Sequence, residues 1–251
     1  MFQYGELVRN LTVKEFKLRY RNSILGFFWS LLNPLAMMMI LTVVFSKLMK
    51  SDVHNFPIFL LPALLAWRFF SVGTSMSLQS IIGNYSLVTK VYFPRWLLVL
   101  SSNLANLIGS SLEFAVLFPL MMVLGMRITP LALLLPVILV LELLLIVGVS
   151  LVLASVNVRY RDFNQVWDIT LQIGFFLCPI LYDMSMIPKR YLLAYSLNPV
   201  TCIIDSVRKI LYYDALPTIV DFIVVFVSAI LLLSVGCLVF RALEPRFAEE
   251  I

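Results

Sequence analysis

The sequence predicts an all-α integral membrane protein with six transmembrane helices. Three observations carry that prediction. Of the 251 residues, 61% are hydrophobic and only 13% are charged, with a mean hydropathy of +0.98. Soluble domains sit near 45–50% apolar and about 25% charged, so one aqueous core has no room for this much apolar surface. The apolar residues also fall into long runs, and a spanning helix needs roughly 20 of them. Finally, basic residues crowd ahead of the first run, as expected where Lys and Arg stay on the cytoplasmic side.

The spans are predicted at 24–48, 58–82, 96–125, 131–158, 163–182 and 219–240. Residues 5–22 precede them. As a helix this segment has Leu7, Leu11 and Leu18 on one side, Val13, Phe16 and Tyr20 on another, and Lys14, Lys17 and Arg21 between. Two apolar stripes parted by a basic one suit a helix in the headgroup layer that touches lipid and protein at once. The plainer alternative is a basic flank of the first span. That span carries Asn33 and Pro34, and proline inside a helix frees a carbonyl and kinks it. The short loop that follows holds the single histidine, His54, which reads as solvated.

Span two contains Arg68, span three Glu113 and span four Glu142. Charges at such depth are costly and face the bundle interior or a wet cavity. A structural ion pair is at least as good a reading as a transport role, and the acids are too scattered for a proton relay. Residues 84–94 link spans two and three on the side of the N-terminus. Their apolar side chains, Leu87, Val88, Val91, Tyr92 and Phe93, make a short amphipathic element that docks onto something. Arg159 and Arg161 place the next near-side loop, and Asp162 is positioned to cap the helix after it. Span five is the shortest.

Residues 183–218 form a long far-side loop that is not plainly polar. Val200, Ile203, Ile204, Val207, Ile210 and Leu211 recur near helical spacing, with Asp205, Arg208 and Lys209 opposite. Asn198 and Pro199 divide it. This predicts two short helices dipping into the outer leaflet, a re-entrant pair between spans 5 and 6, because protein-buried backbone is tolerated at that depth. A small solvated cap is the alternative. Six spans put both termini on one side, and the basic N-terminus makes that side cytoplasmic. No cleavable signal peptide is expected, since the first apolar run is too long.

Several chemistries are missing from the sequence. It has no phosphate-binding G-x-x-x-x-G-K-[ST] loop, no G-x-G-x-x-G, no H-E-x-x-H and no G-x-S-x-G elbow. One histidine cannot build a His-based metal site. Cys178, Cys202 and Cys237 show no redox or metal spacing, and Cys178 and Cys237 read as buried thiols. The net charge of +5 is too small to indicate nucleic acid. Transport is therefore favoured over enzymology, with no catalytic and no metal residues expected. A membrane-embedded transferase and a secondary transporter are the rivals from other classes.

The runs RYRNSILGFFWSLLNPL (19–35), KVYFPRWLL (90–98), NVRYRDF (157–163) and LNP (197–199), in this order, resemble the permease subunits of polysaccharide-export ABC transporters, which export O-antigen, teichoic acid or capsule chains. The resemblance covers essentially the whole chain. It implies a single permease domain in the bacterial cytoplasmic (inner) membrane, working as a homodimer with two copies of a separate ATP-binding cassette subunit. No cofactor is bound by this chain, ATP and Mg belonging to the partner. It implies a coupling helix at 84–94 (Tyr85, Leu87, Val88, Lys90, Val91, Tyr92, Phe93, Pro94) and an outer gate at 188–213 (Tyr191, Tyr195, Asn198, Pro199). It also implies an aromatic channel for a lipid-linked polysaccharide, with Phe27, Phe28, Trp29, Trp67, Phe70, Phe175, Phe176 and Tyr182 as candidates. A permease of the same architecture for a drug or a lipid remains the alternative within transport.

Overall fold

The structure, a computed structural model, describes residues 4–21, 26, 28–48, 53, 55–91 and 93–247. Among these residues there are helices and no strands. The α-helices are α1 (Gly5–Tyr20), α2 (Phe28–Thr42), α3 (Phe56–Leu78), α4 (Tyr85–Lys90), α5 (Trp96–Val123), α6 (Leu135–Arg159), α7 (Phe163–Leu177), α8 (Lys189–Ser196), α9 (Pro199–Leu211) and α10 (Ile219–Leu243). Among the described residues, five stretches are long and apolar enough to cross a membrane: Phe28–Ser46, Phe56–Leu78, Trp96–Val123, Pro130–Arg159 and Ile219–Arg246.

The segment predicted as the fifth span differs. Its helix, α7, has 15 residues, about 22 Å at 1.5 Å per residue, which is short of a bilayer core of about 30 Å. Pro179 accounts for the stop. It biases the residue before it away from helical backbone, and Cys178 is extended at φ −83°, ψ 147°. Asp162 occupies the position ahead of α7 but its side chain makes no capping bond. α2 runs through Pro34 to Thr42 and continues as a π-helical turn over Val43–Leu48.

α3, α5 and α6 form the centre. Asn103 of α5 donates to the Ser77 hydroxyl (2.7 Å), Asn106 to the Phe69 carbonyl (2.9 Å), and Asn157 of α6 to the Leu78 carbonyl (2.9 Å). Amides that find interhelical partners are the usual glue where lipid supplies no hydrophobic drive. α6 and α10 run parallel and meet at Gly148 and Gly236. A Cβ on Gly148 would lie 2.6 Å from the Leu232 and Leu233 backbone, so only hydrogen fits at this crossing. α1 packs along α5: Leu11 is buried, Lys14 donates to Asn84 (2.6 Å), and Arg19 donates to Asn106 (3.2 Å).

Two ends of the bundle follow. The near end gathers α4, the start of α5 and the end of α10, where the Arg95 backbone N–H donates to the Glu244 carboxylate (3.0 Å). The far end gathers α9 against the first turns of α3, α6 and α10.

Candidate functional site

Two features dominate: an aromatic column between α3 and α7, and a buried polar knot around α9. Trp167 opens the column near the start of α7, its indole N–H donating to Thr74 (3.1 Å). The rings then follow one another: Trp167 to Phe70 (6.5 Å between centroids), Phe70 to Trp67 (5.9 Å), Trp67 to Phe175 (6.2 Å), and Phe175 to Phe176 (5.3 Å). All four spacings fall in the range for edge and tilted aromatic contacts, about 4.5–7 Å between centroids. Gly174 lets α7 lie against the column, since a Cβ there would come within 2.8 Å of the Trp67 ring.

Beyond Phe176 the column reaches two phenols. The Tyr182 hydroxyl lies 3.2 Å from the carbonyls of Phe176 and Leu177 and 3.1 Å from the Tyr195 hydroxyl of α8. Trp67, Phe70, Phe175, Phe176 and Tyr182 are thus brought together, and Trp167 joins them although sequence reasoning passed it over. Its signal was an aromatic within one turn of the start of α7. Phe28 and Trp29 lie apart, 69% and 55% exposed on α2. Phe27 is outside the described residues.

The intramembrane charges separate. Arg68 pairs with Glu113 through its Nε at 3.3 Å, not with Glu142. Glu142 is fully buried and neither carboxylate oxygen has a hydrogen-bond partner among the described residues.

The far-side segment forms two helices, α8 and α9, divided at Leu197 and Asn198, so that Pro199, expected within the break, is the first residue of α9, and the Asn198 side chain caps α9 by accepting from the Val200 N–H (3.0 Å). Tyr191 is exposed on α8. The polar side expected for α9 is not turned to solvent. Every residue of α9 but Pro199 and Lys209 is buried. Arg208 is fully enclosed and donates to three backbone carbonyls, Phe59 (3.3 Å), Tyr182 (3.3 Å) and Ile180 (2.9 Å), while its guanidinium lies 3.8 Å over the Phe59 ring. Lys209 bridges Asp205 (2.6 Å) and Asp221 (2.9 Å), tying α9 to the first turn of α10. Burial would raise the carboxyl of nearby Asp183, but the Tyr213 hydroxyl and the Ser185 backbone N–H that donate to it hold it below its usual range.

At the near end, the segment predicted over 84–94 is helical only over Tyr85–Lys90, after a 3-10 turn at Ile82–Asn84. Val88 and Phe93 are buried and Leu87 is half-buried, anchoring the element, while Tyr85 and Val91 are each 53% exposed and Lys90 projects outward. Pro94 lines a cleft with Arg95, Arg241 and Glu244. Tyr92 lies outside the described residues. Cys178 is buried as expected, but Cys237 is exposed on the outer face of α10, where a thiol meets lipid as readily as protein.

A family profile described as "ABC-2 type transporter" matches residues 6–212. Among similar proteins, the "O-antigen export system permease protein RfbA" of Myxococcus xanthus is 32% identical over 100% of this chain and 97% of its own length. A protein of the same name from Klebsiella pneumoniae is 31% identical, covering 97% and 94%. The "Polysialic acid transport protein KpsM" of Escherichia coli is 25% identical over 80% of each.

Proposed function

The chain belongs to the ABC-2 type transporter family, and on that premise we propose that it is the permease subunit of an ATP-driven exporter of a lipid-linked, O-antigen-like polysaccharide. The observation that carries this reading is the aromatic column. Aromatic faces stack on the C–H faces of sugar rings, and a row of weak contacts lets a polymer bind and move on, the requirement for any conduit. Its relatives' names point to the same class of cargo.

Two copies of the chain enclose the path, each supplying one column, in the bacterial inner membrane with both termini cytoplasmic. Two ATP-binding subunits sit at the near end, where Tyr85, Lys90 and Val91 stand out from an anchored helix and enter a groove on the partner. ATP and Mg stay on that partner, and this chain performs no covalent step. ATP-driven closure of the partners pushes α4; the push passes through α3 and α5 to the column. The far-end gate is the Tyr182–Tyr195 pair, with α8 and α9 as a re-entrant unit around Asn198 and Pro199.

The test is export of surface polysaccharide in a permease-null strain complemented with variants. Trp67→Leu and Phe175→Leu should lower the surface polymer at least several-fold while membrane levels and capture of the ATPase hold. Normal export in both variants would remove the column from the transport path.

A further inference from the structure

We propose that the groove beside Arg68 is an oxyanion site that takes the phosphate of an amphiphile at mid-membrane depth. Arg68 lies about 18 Å from the first residue of α3 and about 15 Å from its last, so it sits where a cation is most costly and is a functional-site candidate by default. Its compensation is incomplete. Among the described residues Glu113 is the one carboxylate bonded to it, and the charge of Arg19 also bears on Glu113. One carboxylate thus faces two guanidiniums, Arg68 through a bond and Arg19 only through its charge at longer range, and a positive surplus remains. The Glu113 bond takes Arg68 Nε and fixes the plane of the guanidinium. The two terminal amino groups have no hydrogen-bond partner among the described residues.

Arg68 opens onto a groove of about 150 Å³ between α2 and α3, shared with Asn33, Met37, Trp67 and Ser71. That is room for about five water molecules. An oriented guanidinium offers the paired donors that match an oxyanion. Asn33 adds a donor from the opposite wall, and Met37 and Leu64 supply apolar surface for an attached chain. Trp67 belongs to both the groove and the aromatic column, so the site adjoins the path proposed above. Binding at the groove stands on its own geometry; the suggestion that the phosphate arrives on the exported chain rests on the permease reading.

The experiment uses the full-length permease in dodecyl maltoside micelles, which carry no phosphate, with hexyl phosphate as probe and hexyl glucoside as neutral control, followed by thermal unfolding. Wild type should show saturable stabilisation by hexyl phosphate alone. Arg68→Gln should raise the apparent Kd at least tenfold, with Arg68→Lys in between. Asn33→Leu, an exposed position that leaves the ion pair intact, should raise it several-fold and decides the matter if Arg68→Gln does not fold. No saturable effect in wild type, or unchanged saturation in Arg68→Gln and Asn33→Leu, overturns the site. Phosphatidylglycerol added to the micelles separates the sources: competition marks a bilayer phospholipid, and its absence marks the passing chain. ATPase capture and surface polymer, measured on the same variants, report the permease reading independently.

Discussion

Arg208 ties the far end together through three hydrogen bonds and a ring contact. Its three carbonyl partners come from the first turn of α3 and from the link after α7, so one cation joins segments far apart in sequence. A hydrogen bond to a charged group contributes about 1.5–3 kcal/mol, and removing the guanidinium also leaves buried carbonyls unpaired. Arg208→Met should therefore lower the unfolding temperature of the purified permease markedly. Arg208→Lys should restore little, because an ammonium cannot fork to several carbonyls and stack on Phe59 at once. A lysine variant as stable as wild type would show that charge alone suffices. Arg208 was not legible beforehand. On a helical wheel it falls on the polar side of α9, and its acceptors are backbone carbonyls, which leave no mark in a sequence. Arg68 and Glu113 were legible as a cost, but which acid answered the arginine depended on helix register.

Among the elements, the long helices were legible because lipid imposes a minimum length on any run that crosses it. Closeness between helices was not. Gly148 and Gly236 look ordinary in apolar runs, yet they set the α6–α10 crossing. Gly148→Leu should force these helices apart at a cost of about 1–3 kcal/mol, read as a lower thermal midpoint, whereas substituting Leu for the exposed Ile230 should be neutral. The shortening of α7 was foreshadowed by Pro179, although its apolar composition continues to Tyr182. α4 makes a separate prediction. Val91→Asp and Tyr85→Asp alter exposed positions of an anchored helix, so both should insert normally and lose capture of the ATPase. Retained capture in both would move the docking surface away from α4.

For the whole molecule, the arrangement predicts a contrast in chemical access. In a cysteine-free background, cysteines at Ile204 and Ile210 should resist a bulky aqueous thiol reagent, since both positions are buried within the bundle. A cysteine at Tyr191, exposed on α8, should label readily from the far side. Fast labelling at Ile204 and Ile210 would turn α9 into a solvated cap.

α7 itself has no buried residue. A helix that finishes folding with every side chain still partly uncovered is completed by something other than its own chain. If a second copy supplies that cover, the unit of inheritance and the unit of function differ. A gene copy carrying Trp67→Leu would yield subunits that still pair, and every mixed pair would have one defective wall. Such an allele should suppress export even beside an intact gene, whereas an allele that abolishes folding should be silent there.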